Sequence, residues 1–406
     1  MIAIILLVRT ITWSCPVLAA GSTGRRNTGV KFLCRGFKSQ GLAWPLIELA
    51  GYFVEMGLRV HRQVGSFRKI LSQQAIGAVT LDLCYASRVE DIVAMMMPQR
   101  ATISRFCRII FVDTPIFALI GAPVAVVVAL QHGLPTHTMI TFLVMIFATG
   151  LGITLGFHRL FSHRSFATSR PVEWVLMILG CMGGQNSPFY WVAHHRTHHR
   201  HSDHDGDPHS PHIWAGRRLR LLRGFWHSYS GWWVHANGYN YPNGYNYPKA
   251  AVHDLARRPD LAWINHHWFH VYLMGFAIPA LVGFAIGGTG YDALVGLLWG
   301  GMFRQFIGLQ AAWAVNSFCH LWGDRPYATA DDSRNSFVLG LIAFGDGWHN
   351  NHHAFPSSAR HGFYWWQPDL TWSVIWLMER VGLAWNVKRP SPHAYSQPGI
   401  RDQANA

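Results

Sequence analysis

Three short histidine clusters carry the side chains of this sequence that are most able to bind metal ions. The first pairs His158 with His163, the second is His-Arg-Thr-His-His at 195–199, and the third is His-Asn-Asn-His-His at 349–353. Residues three and four positions apart share one face of a helix, so the second and third clusters should each direct three imidazoles towards one point. Imidazole is the commonest metal ligand among protein side chains. The spacing therefore predicts a metal site.

A fourth element places an amide and another imidazole one helical turn apart, at Asn316 and His320. Nine histidines converging in this way could bind two metal ions, and they are His158, His163, His195, His198, His199, His320, His349, His352 and His353. Soluble di-iron bundles use Glu-x-x-His pairs, and this sequence contains none. The predicted site is therefore almost purely imidazole, a donor that suits iron, zinc, copper and nickel alike.

The composition indicates a membrane protein. Of the 406 residues 50% are hydrophobic and only 13% are charged, about half the roughly 25% of an average soluble protein. Six cysteines without a Cys-x-x-Cys pair argue against a disulfide scaffold. The net charge of +14 lies mostly in residues 1–108, with 14 basic and 5 acidic residues. These basic residues are scattered and accompany no nucleic-acid motif, so we expect no nucleic-acid partner.

Four uncharged stretches predict membrane spans. Two of them, 114–130 and 137–157, flank a turn, and two more, 268–286 and 293–319, flank a glycine-rich turn. A span needs about 20 apolar residues. The last stretch is interrupted by Arg304, which should face protein or reach the interface. Both turns lack Lys and Arg, whereas 158–267 is rich in Arg, so both termini and the histidine clusters are expected on the cytoplasmic side.

The expected fold is thus an all-α integral membrane protein, with four transmembrane helices in two hairpins and a cytoplasmic helical cap that holds the dimetal site. Residues 1–104 are an extension of unclear role, and one interpretation is that the true start is Met95, Met96 or Met97. Residues 105–390 form the predicted working domain, and 391–406 a polar tail. The tandem Asn-Gly-Tyr-Asn-Tyr-Pro at 237–248 is interpreted as an insertion in a surface loop.

The words around the clusters resemble those of the membrane fatty acid desaturases. They are Gly-Phe-His-Arg-Leu-Phe-Ser-His-Arg-Ser-Phe at 156–166, Asn-Ser-Phe-Cys-His at 316–320 and Gly-Asp-Gly-Trp-His-Asn-Asn-His-His-Ala-Phe-Pro at 345–356. They look like the acyl-CoA delta-9, or stearoyl-CoA type, branch of that family. The resemblance covers residues 105–390.

The resemblance implies two iron ions that activate O2 and remove two hydrogens from an acyl chain, leaving a cis double bond. One iron would be bound by His158, His163, His195, His199 and His352. The other would be bound by His198, His320, His349 and His353, with Asn316 reaching it through a water. Gln185, Asn186 and Trp191 match the family and would line the substrate entrance. Electrons would come from a separate ferredoxin, or from a b-type cytochrome with its reductase, because no His-Pro-Gly-Gly haem word occurs.

Several points remain open at this level. The Arg-Asp pair that holds CoA in the animal enzymes is replaced here by Ala193 and His194, so the carrier could be CoA, acyl carrier protein or a phospholipid. Asp203 and Asp207 either orient ligand imidazoles or belong to an ordinary acidic turn. The remaining histidines near the second cluster are interpreted as surface groups or as groups behind the ligands, and they are His194, His201, His204, His209 and His212.

Two other functions compete with the desaturase interpretation. A membrane hydroxylase could use the same histidine clusters, although the 316–320 and 345–349 words favour desaturation. A membrane metal-binding protein or transporter would place its ligands at mid-membrane depth, whereas these clusters lie at predicted helix ends. A desaturase of a bacterial inner membrane is therefore the expected function.

Overall fold

The computed structural model describes residues 116–233 and 247–396. The predicted extension 1–104, most of the tandem repeat at 237–248 and the tail beyond residue 396 lie outside the described residues. The described start of the predicted tail forms a short helix, in which the ring of Tyr395 stacks on Phe363 with the centroids 5.1 Å apart.

The described chain is mostly helical, as expected. The helices are α1 (Ile116–His132), α2 (Thr136–Ser162), α3 (Arg170–Met182), α4 (Pro188–His201), α5 (Leu221–Trp226), α6 (His253–Ala256), α7 (Pro259–His266), α8 (Trp268–Gly287), α9 (Gly290–Gly296), α10 (Arg304–Leu321), α11 (Phe337–Ile342), α12 (His349–Ala354), α13 (Leu370–Arg380) and α14 (Pro392–Ser396). Shorter π or 3₁₀ segments are Gly152–Ser162 within α2, His227–Gly231, Lys249–Val252 and Leu297–Phe303. Four two-residue strands are β1 (Ala167–Thr168), β2 (Ile213–Trp214), β3 (Arg217–Arg218) and β4 (Ala384–Trp385).

The first hairpin consists of α1 and α2. Gly133 takes a φ of +77° directly after α1, a conformation that glycine adopts without strain, and Pro135 precedes the first residue of α2. Helix α2 runs on past the predicted end at residue 157 to Ser162. Its last part is π-wound, with the first histidine cluster at its end.

The second hairpin consists of α8 and the continuous stretch from α9 to α10. Gly288 ends α8 in the left-handed conformation, and Thr289 caps α9 by accepting a hydrogen bond from the backbone N–H of Asp292. Arg304 is buried, as predicted for a charge at this position. It donates to the carbonyl oxygens of Gly300 and Gly275 and to the hydroxyl of Thr149 on α2.

Two of the four predicted spans are long and apolar enough to cross a bilayer, Thr136–Ser162 and Trp268–Gly287. The prediction of four spans is therefore supported for α2 and α8. Helix α1 is apolar but shorter, and α10 begins at the charged Arg304. Spans at these two places stay a prediction.

A cap of short helices and loops covers the end of the bundle where α2 and α10 finish. Helix α4 begins with Ser187 as its N-cap, which accepts from the backbone N–H of Tyr190, followed by proline at the first helical position. The C-terminal part returns to the first hairpin, because β4 pairs antiparallel with β1 just after the first histidine cluster. The main buried cluster includes Leu155, Phe157 and Met177 where α2 meets α3, and it extends to Trp268 on α8 and Ile375 on α13.

Close packing of α2 on α3 depends on two glycines. A Cβ on Gly152 would lie 2.2 Å from the backbone nitrogen of Gly180, a contact that no flexible side chain can relieve. Gly152→Ala should therefore lower the free energy of unfolding by about 1–3 kcal/mol. The thermal unfolding midpoint in detergent, followed by tryptophan fluorescence, measures this.

Gly308→Ala is the matched control, because a Cβ at Gly308 on α10 meets no atom within 4 Å. Alanine there should leave the stability unchanged or raise it by up to about 1 kcal/mol through helix propensity. Equal losses in the two variants would contradict close packing at Gly152.

Candidate metal centre

Five histidines form a first group, which we call the five-histidine group: His158, His163, His195, His199 and His352. Their candidate ligand atoms all lie within 4.8 Å of one another. The Nε2 atoms of His158 and His352 are 3.0 Å apart, those of His163 and His195 are 2.7 Å apart, and those of His352 and His199 are 2.9 Å apart.

Four further histidines form a second group, the four-histidine group: His198, His320, His349 and His353. The Nε2 atoms of His320 and His349 lie 3.0 Å apart. All four side chains are almost inaccessible to solvent. The two groups adjoin, since the rings of His199 and His353 stack with centroids 4.4 Å apart.

The second and third clusters each serve both groups, so the expectation that each aims at one point is wrong. The reason is the helical angle of about 100° per residue. His195 and His199 are about 40° apart around α4 and join the five-histidine group, whereas His198 is turned by about 60° the other way. On α12 the i and i+4 pair, His349 with His353, joins the four-histidine group, and His352 points to the other group.

The first cluster converges because α2 is π-wound where it occurs. Residues five apart lie about 140° apart on an α-helix, but i→i+5 hydrogen bonding brings them to one face. The backbone N–H of His163 donates to the carbonyl oxygen of His158 over 3.1 Å, an i→i+5 bond. The π-winding of Gly152–Ser162 thus places His158 and His163 in the same group.

Four carboxylates lie behind the histidines and fix their orientation. Each accepts a hydrogen bond from an Nδ1–H: Asp346 from His158 (2.9 Å), Asp207 from His198 (3.0 Å), Asp203 from His320 (2.8 Å) and Asp331 from His353 (2.6 Å). A proton on Nδ1 leaves the lone pair on Nε2, which faces the group. Asp203 and Asp207 therefore orient imidazoles, whereas Asp205 accepts from the backbone N–H of Gly216 in a turn.

The donor arrangement fits metal ions. The buried Nε2 atoms of His198 and His353 have no hydrogen-bond partner among the described residues. Nitrogens bound at about 2.1 Å and at right angles around one metal ion would be roughly 3 Å apart, and the Nε2 pairs are separated by 2.7–3.0 Å. Two lone pairs at this separation repel each other unless a cation or a proton lies between them. The residues present therefore suit two transition-metal ions.

Five of the nine histidines are held in the neutral form that binds a metal ion. Burial, reinforced by neighbouring imidazoles, holds the pKa values of five histidines well below the usual range, and these are His163, His195, His199, His349 and His352. Burial alone would raise the pKa of Asp203, but the charge and hydrogen bond of His320 lower it well below its usual range. Neutral imidazoles and ionised carboxylates are the forms that bind a cation.

A largely apolar cavity extends from the two histidine groups between α2 and α10. Its wall includes His158 and His349 at one end, and Ile146, Thr149 and Arg304 further along. Asn316 also lines this cavity. The aromatic side chains Tyr190, Trp232, Trp233 and Trp313 also line it.

The predicted substrate residues lie in different places. Gln185 and Trp191 line the cavity and bond to each other, with Trp191 Nε1 donating to Gln185 Oε1 over 2.8 Å. The Trp191 ring stacks on His195 with centroids 4.9 Å apart. Asn186 is buried in the turn before α4 with a φ of +74°, its side-chain oxygen accepts from the backbone N–H of Ser187, and it does not line this cavity.

Some residues at the site escaped sequence reasoning. Arg159 is fully buried and bridges Asp346 and Asp369, and His361 packs on His352 with ring centroids 4.4 Å apart. Asp346 lies three residues before His349, within the same motif, and this position could have indicated a role at the site. No sequence pattern points to Asp331 or His361. His194 and His209 are largely enclosed, and both line the cavity.

The depressed histidine pKa values predict how the stability of the metal-free protein depends on pH. Below about pH 6.5 a histidine of the unfolded chain binds a proton. In the folded protein the imidazoles of His163, His195, His199, His349 and His352 stay neutral, so the free energy of unfolding falls as the pH falls. We expect a loss of at least about 3 kcal/mol between pH 7 and 5. Chemical unfolding of the chelator-treated protein in detergent measures it.

His352→Gln should make this pH dependence shallower, because it removes one such group, whereas the exposed His266→Gln should not. A stability that is flat between pH 7 and 5 would show that the folded imidazoles titrate normally.

Comparison with known proteins assigns the chain to a family. The fatty acid desaturase family profile matches residues 136–389, which include both hairpin helices α2 and α8 and all nine histidines. The chain is similar to a hex-5-enoyl-[acyl-carrier protein] acetylenase of Moorena producens (strain JHB), with 39% identity over 59% of this chain and 74% of that protein. It is also similar to an sn-1 stearoyl-lipid 9-desaturase of Anabaena variabilis, with 38% identity over 59% of this chain and 79% of that protein.

An icosanoyl-CoA 5-desaturase of Limnanthes douglasii is 38% identical over 62% of this chain and 65% of that protein. The names of these relatives specify three acyl carriers, and more than one bond position. The profile match covers more than half of the residues, and it includes each histidine cluster whose geometry is described above. The chain therefore belongs to the fatty acid desaturase family, whose members are oxidoreductases of lipid metabolism.

Proposed function

We propose that the chain is an O2-dependent acyl desaturase that introduces a cis double bond, at the delta-9 position, into a long-chain fatty acyl thioester or acyl lipid during unsaturated fatty acid biosynthesis. One observation carries the proposal. Two groups of buried imidazoles lie at one end of a largely apolar cavity between α2 and α10. An unactivated methylene has no acidic proton, so general acid–base chemistry alone cannot begin the reaction.

The proposed cofactor is a pair of iron ions. The five-histidine group would hold one iron, and the four-histidine group would hold the other, with Asn316 reaching it through a water. When bound, the irons would activate O2 as the oxidant, with two electrons from an external donor and two from the methylene pair reducing it to two waters and leaving the double bond. Imidazole is a suitable donor for iron, and the resemblance of the histidine words supports this metal over the others.

The chain's own residues bind and position the acyl substrate. The apolar wall between α2 and α10 takes up the hydrocarbon and excludes water, and the cavity brings one part of it beside His158 and His349. Trp191, held by its hydrogen bond to Gln185 and by stacking on His195, forms a rigid part of the wall next to the ligands. The depth of the cavity beyond the metal ions then selects which carbons react, a positioning effect.

The delta-9 position and the acyl carrier rest on sequence similarity. The 316–320 and 345–356 words support a stearoyl-type enzyme, and the similarity to a stearoyl-lipid 9-desaturase is consistent with this position. Ala193 and His194 replace the Arg-Asp pair of the animal CoA enzymes. CoA, acyl carrier protein and lipid are therefore the three carriers to test.

We also propose that α1 and the α9–α10 stretch cross the bilayer with α2 and α8, in the bacterial inner membrane and with the metal groups on the cytoplasmic side. Apolar side chains exposed on α1, α2 and α8, such as Leu130, Val144 and Leu281, support contact with lipid. The buried Arg304 needs no water, because protein oxygens accept its hydrogen bonds. The arginine-rich segment between the hairpins supports the orientation.

Expression in a bacterial host that lacks its own desaturase tests the function. We expect a new cis-monounsaturated fatty acid, identified by mass spectrometry after double-bond derivatisation, and we expect His352→Ala to reduce it by at least 100-fold (about 10²) because a ligand to iron is lost. His266→Ala, at an exposed position outside the groups, should retain activity.

The other functions predict other results from this experiment. A hydroxy fatty acid in place of the unsaturated one would indicate a hydroxylase. Bound metal with no lipid product, although reductant and iron are supplied, would indicate a metal-binding protein. Full activity in His352→Ala would remove this histidine from the proposed ligands.

Gly308 lines the cavity and has open space where a side chain would project. Gly308→Leu should therefore fill part of the acyl site and shift the substrate preference towards chains shorter by roughly two to four carbons, because each buried methylene contributes about 0.8 kcal/mol. The ratio of C16 to C18 products measures the shift.

Gly290→Leu is the matched control, since Gly290 also has open space but lies outside the cavity. It should leave the product ratio unchanged. An unchanged ratio in Gly308→Leu as well would contradict the placement of the acyl chain along α10.

A further inference from the structure

The two histidine groups differ in the number of carboxylates behind them. In the four-histidine group three of the four imidazoles donate an Nδ1–H to a carboxylate, and the acceptors are Asp207, Asp203 and Asp331. In the five-histidine group His158 alone does so among the described residues, to Asp346. Metal positions built on these groups would therefore differ in electrostatics, although both are lined by imidazole alone.

A nearby arginine increases this difference. Asp346 lies 3.3 Å from the Arg159 guanidinium, which is fully buried and also pairs with Asp369 at 2.9 Å. The negative charge of Asp346 is thus already partly balanced by the Arg159 cation. By contrast, no Arg or Lys among the residues that the structure describes forms an ion pair with Asp203, Asp207 or Asp331.

Those three carboxylates are instead held by neutral donors. Asp203 accepts from the backbone N–H of Asp332 and from the hydroxyl of Ser210. Asp207 accepts from the backbone N–H groups of Asp203 and His209. Asp331 accepts from the N–H and hydroxyl of Ser333. Their negative charge therefore remains available to a cation bound by the imidazoles.

Building on the proposed dimetal function, we propose that the two positions fill in order: the four-histidine group takes its divalent metal ion first and more tightly, and the five-histidine group takes the second. The three carboxylates fix the tautomers of His198, His320 and His353 before any metal arrives. The negative charge of each carboxylate also attracts a metal ion on the far side of the imidazole to which it is hydrogen-bonded. The charge of a first ion would also oppose binding of a second ion in the adjoining group, which would separate the two binding steps further.

The size of the carboxylate effect decides between this order and its reverse. A carboxylate behind a metal-bound histidine changes metal affinity by about 10–100-fold. The two additional carboxylates of the four-histidine group thus correspond to about 10²–10⁴-fold. This advantage opposes that of the one extra imidazole in the five-histidine group, and the proposed order requires the carboxylates to outweigh it.

Cobalt(II) binding to the full-length protein tests the order. The protein, purified in detergent and stripped with a chelator, is titrated with Co²⁺, and visible absorption together with a competing chelator gives the affinity of each step. We expect two ions to bind in two steps, with the first at least 10-fold tighter (about one order of magnitude). Asp207→Asn and Asp331→Asn should each weaken the tight step by about 10–100-fold. Asp346→Asn should weaken only the second step.

His163→Ala and His353→Ala assign the steps independently, because each removes a histidine from one group. The first should abolish the weak step, and the second should abolish the tight step. Asp260→Asn is the matched control, since this carboxylate pairs with Arg258 far along the sequence from the ligands and should leave both steps unchanged. Thermal unfolding of each metal-free variant establishes that it is folded, and where a histidine variant is not, the aspartate variants decide.

The outcomes separate the two proposals. Two ions that bind with equal affinity, or an Asp346→Asn variant that weakens the tight step, would overturn the filling order while leaving the dimetal function intact. Binding of fewer than two ions to the unmodified protein would instead contradict the dimetal function itself.

Discussion

The hydrogen bond from an imidazole Nδ1–H to a buried carboxylate is the interaction on which the rest of the site depends. A buried histidine can hold its proton on either nitrogen, and only one tautomer directs a lone pair towards a metal ion. Asp346, Asp207, Asp203 and Asp331 each select that tautomer for one histidine. The carboxylates come from three separate stretches of the chain, so the cap must fold as a unit before the ligands are oriented.

The buried charges also explain why the C-terminal part returns to the first hairpin. Arg159 directly follows His158 in sequence and has no contact with solvent, so its charge requires buried partners. Asp369 supplies one, and its oxygens also accept from the backbone N–H groups of His361, Gly362 and Trp372. The same carboxylate thus caps α13 and anchors α2. Together with the pairing of β1 and β4, it ties residues 359–385 to the end of α2.

Many of the helices and most of the histidines at the site could be predicted from the sequence, because both depend on the local spacing of residues. The apolar stretches predict the helices α1, α2 and α8 to within a few residues, and the histidine words predict which side chains gather. The division of the second and third clusters between two groups follows from the angles between their residues around α4 and α12. The rule that residues three and four apart share one helical face does not predict this division. Asp331 and His361 could not be predicted, because both lie outside the histidine motifs. They reach the site only through tertiary contacts with His353 and His352.

Two long helical stretches depart from α-winding, α2 and the stretch from α9 to α10. In α2 the π segment Gly152–Ser162 brings His158 and His163, five residues apart, to one face. In the second hairpin the segment Leu297–Phe303 directly precedes Arg304, whose side chain then reaches Thr149 on α2. A regular α-helix would turn residues five apart away from each other by about 140°. The widened turns cost helical regularity, and in α2 they bring together two histidines that a regular α-helix would separate.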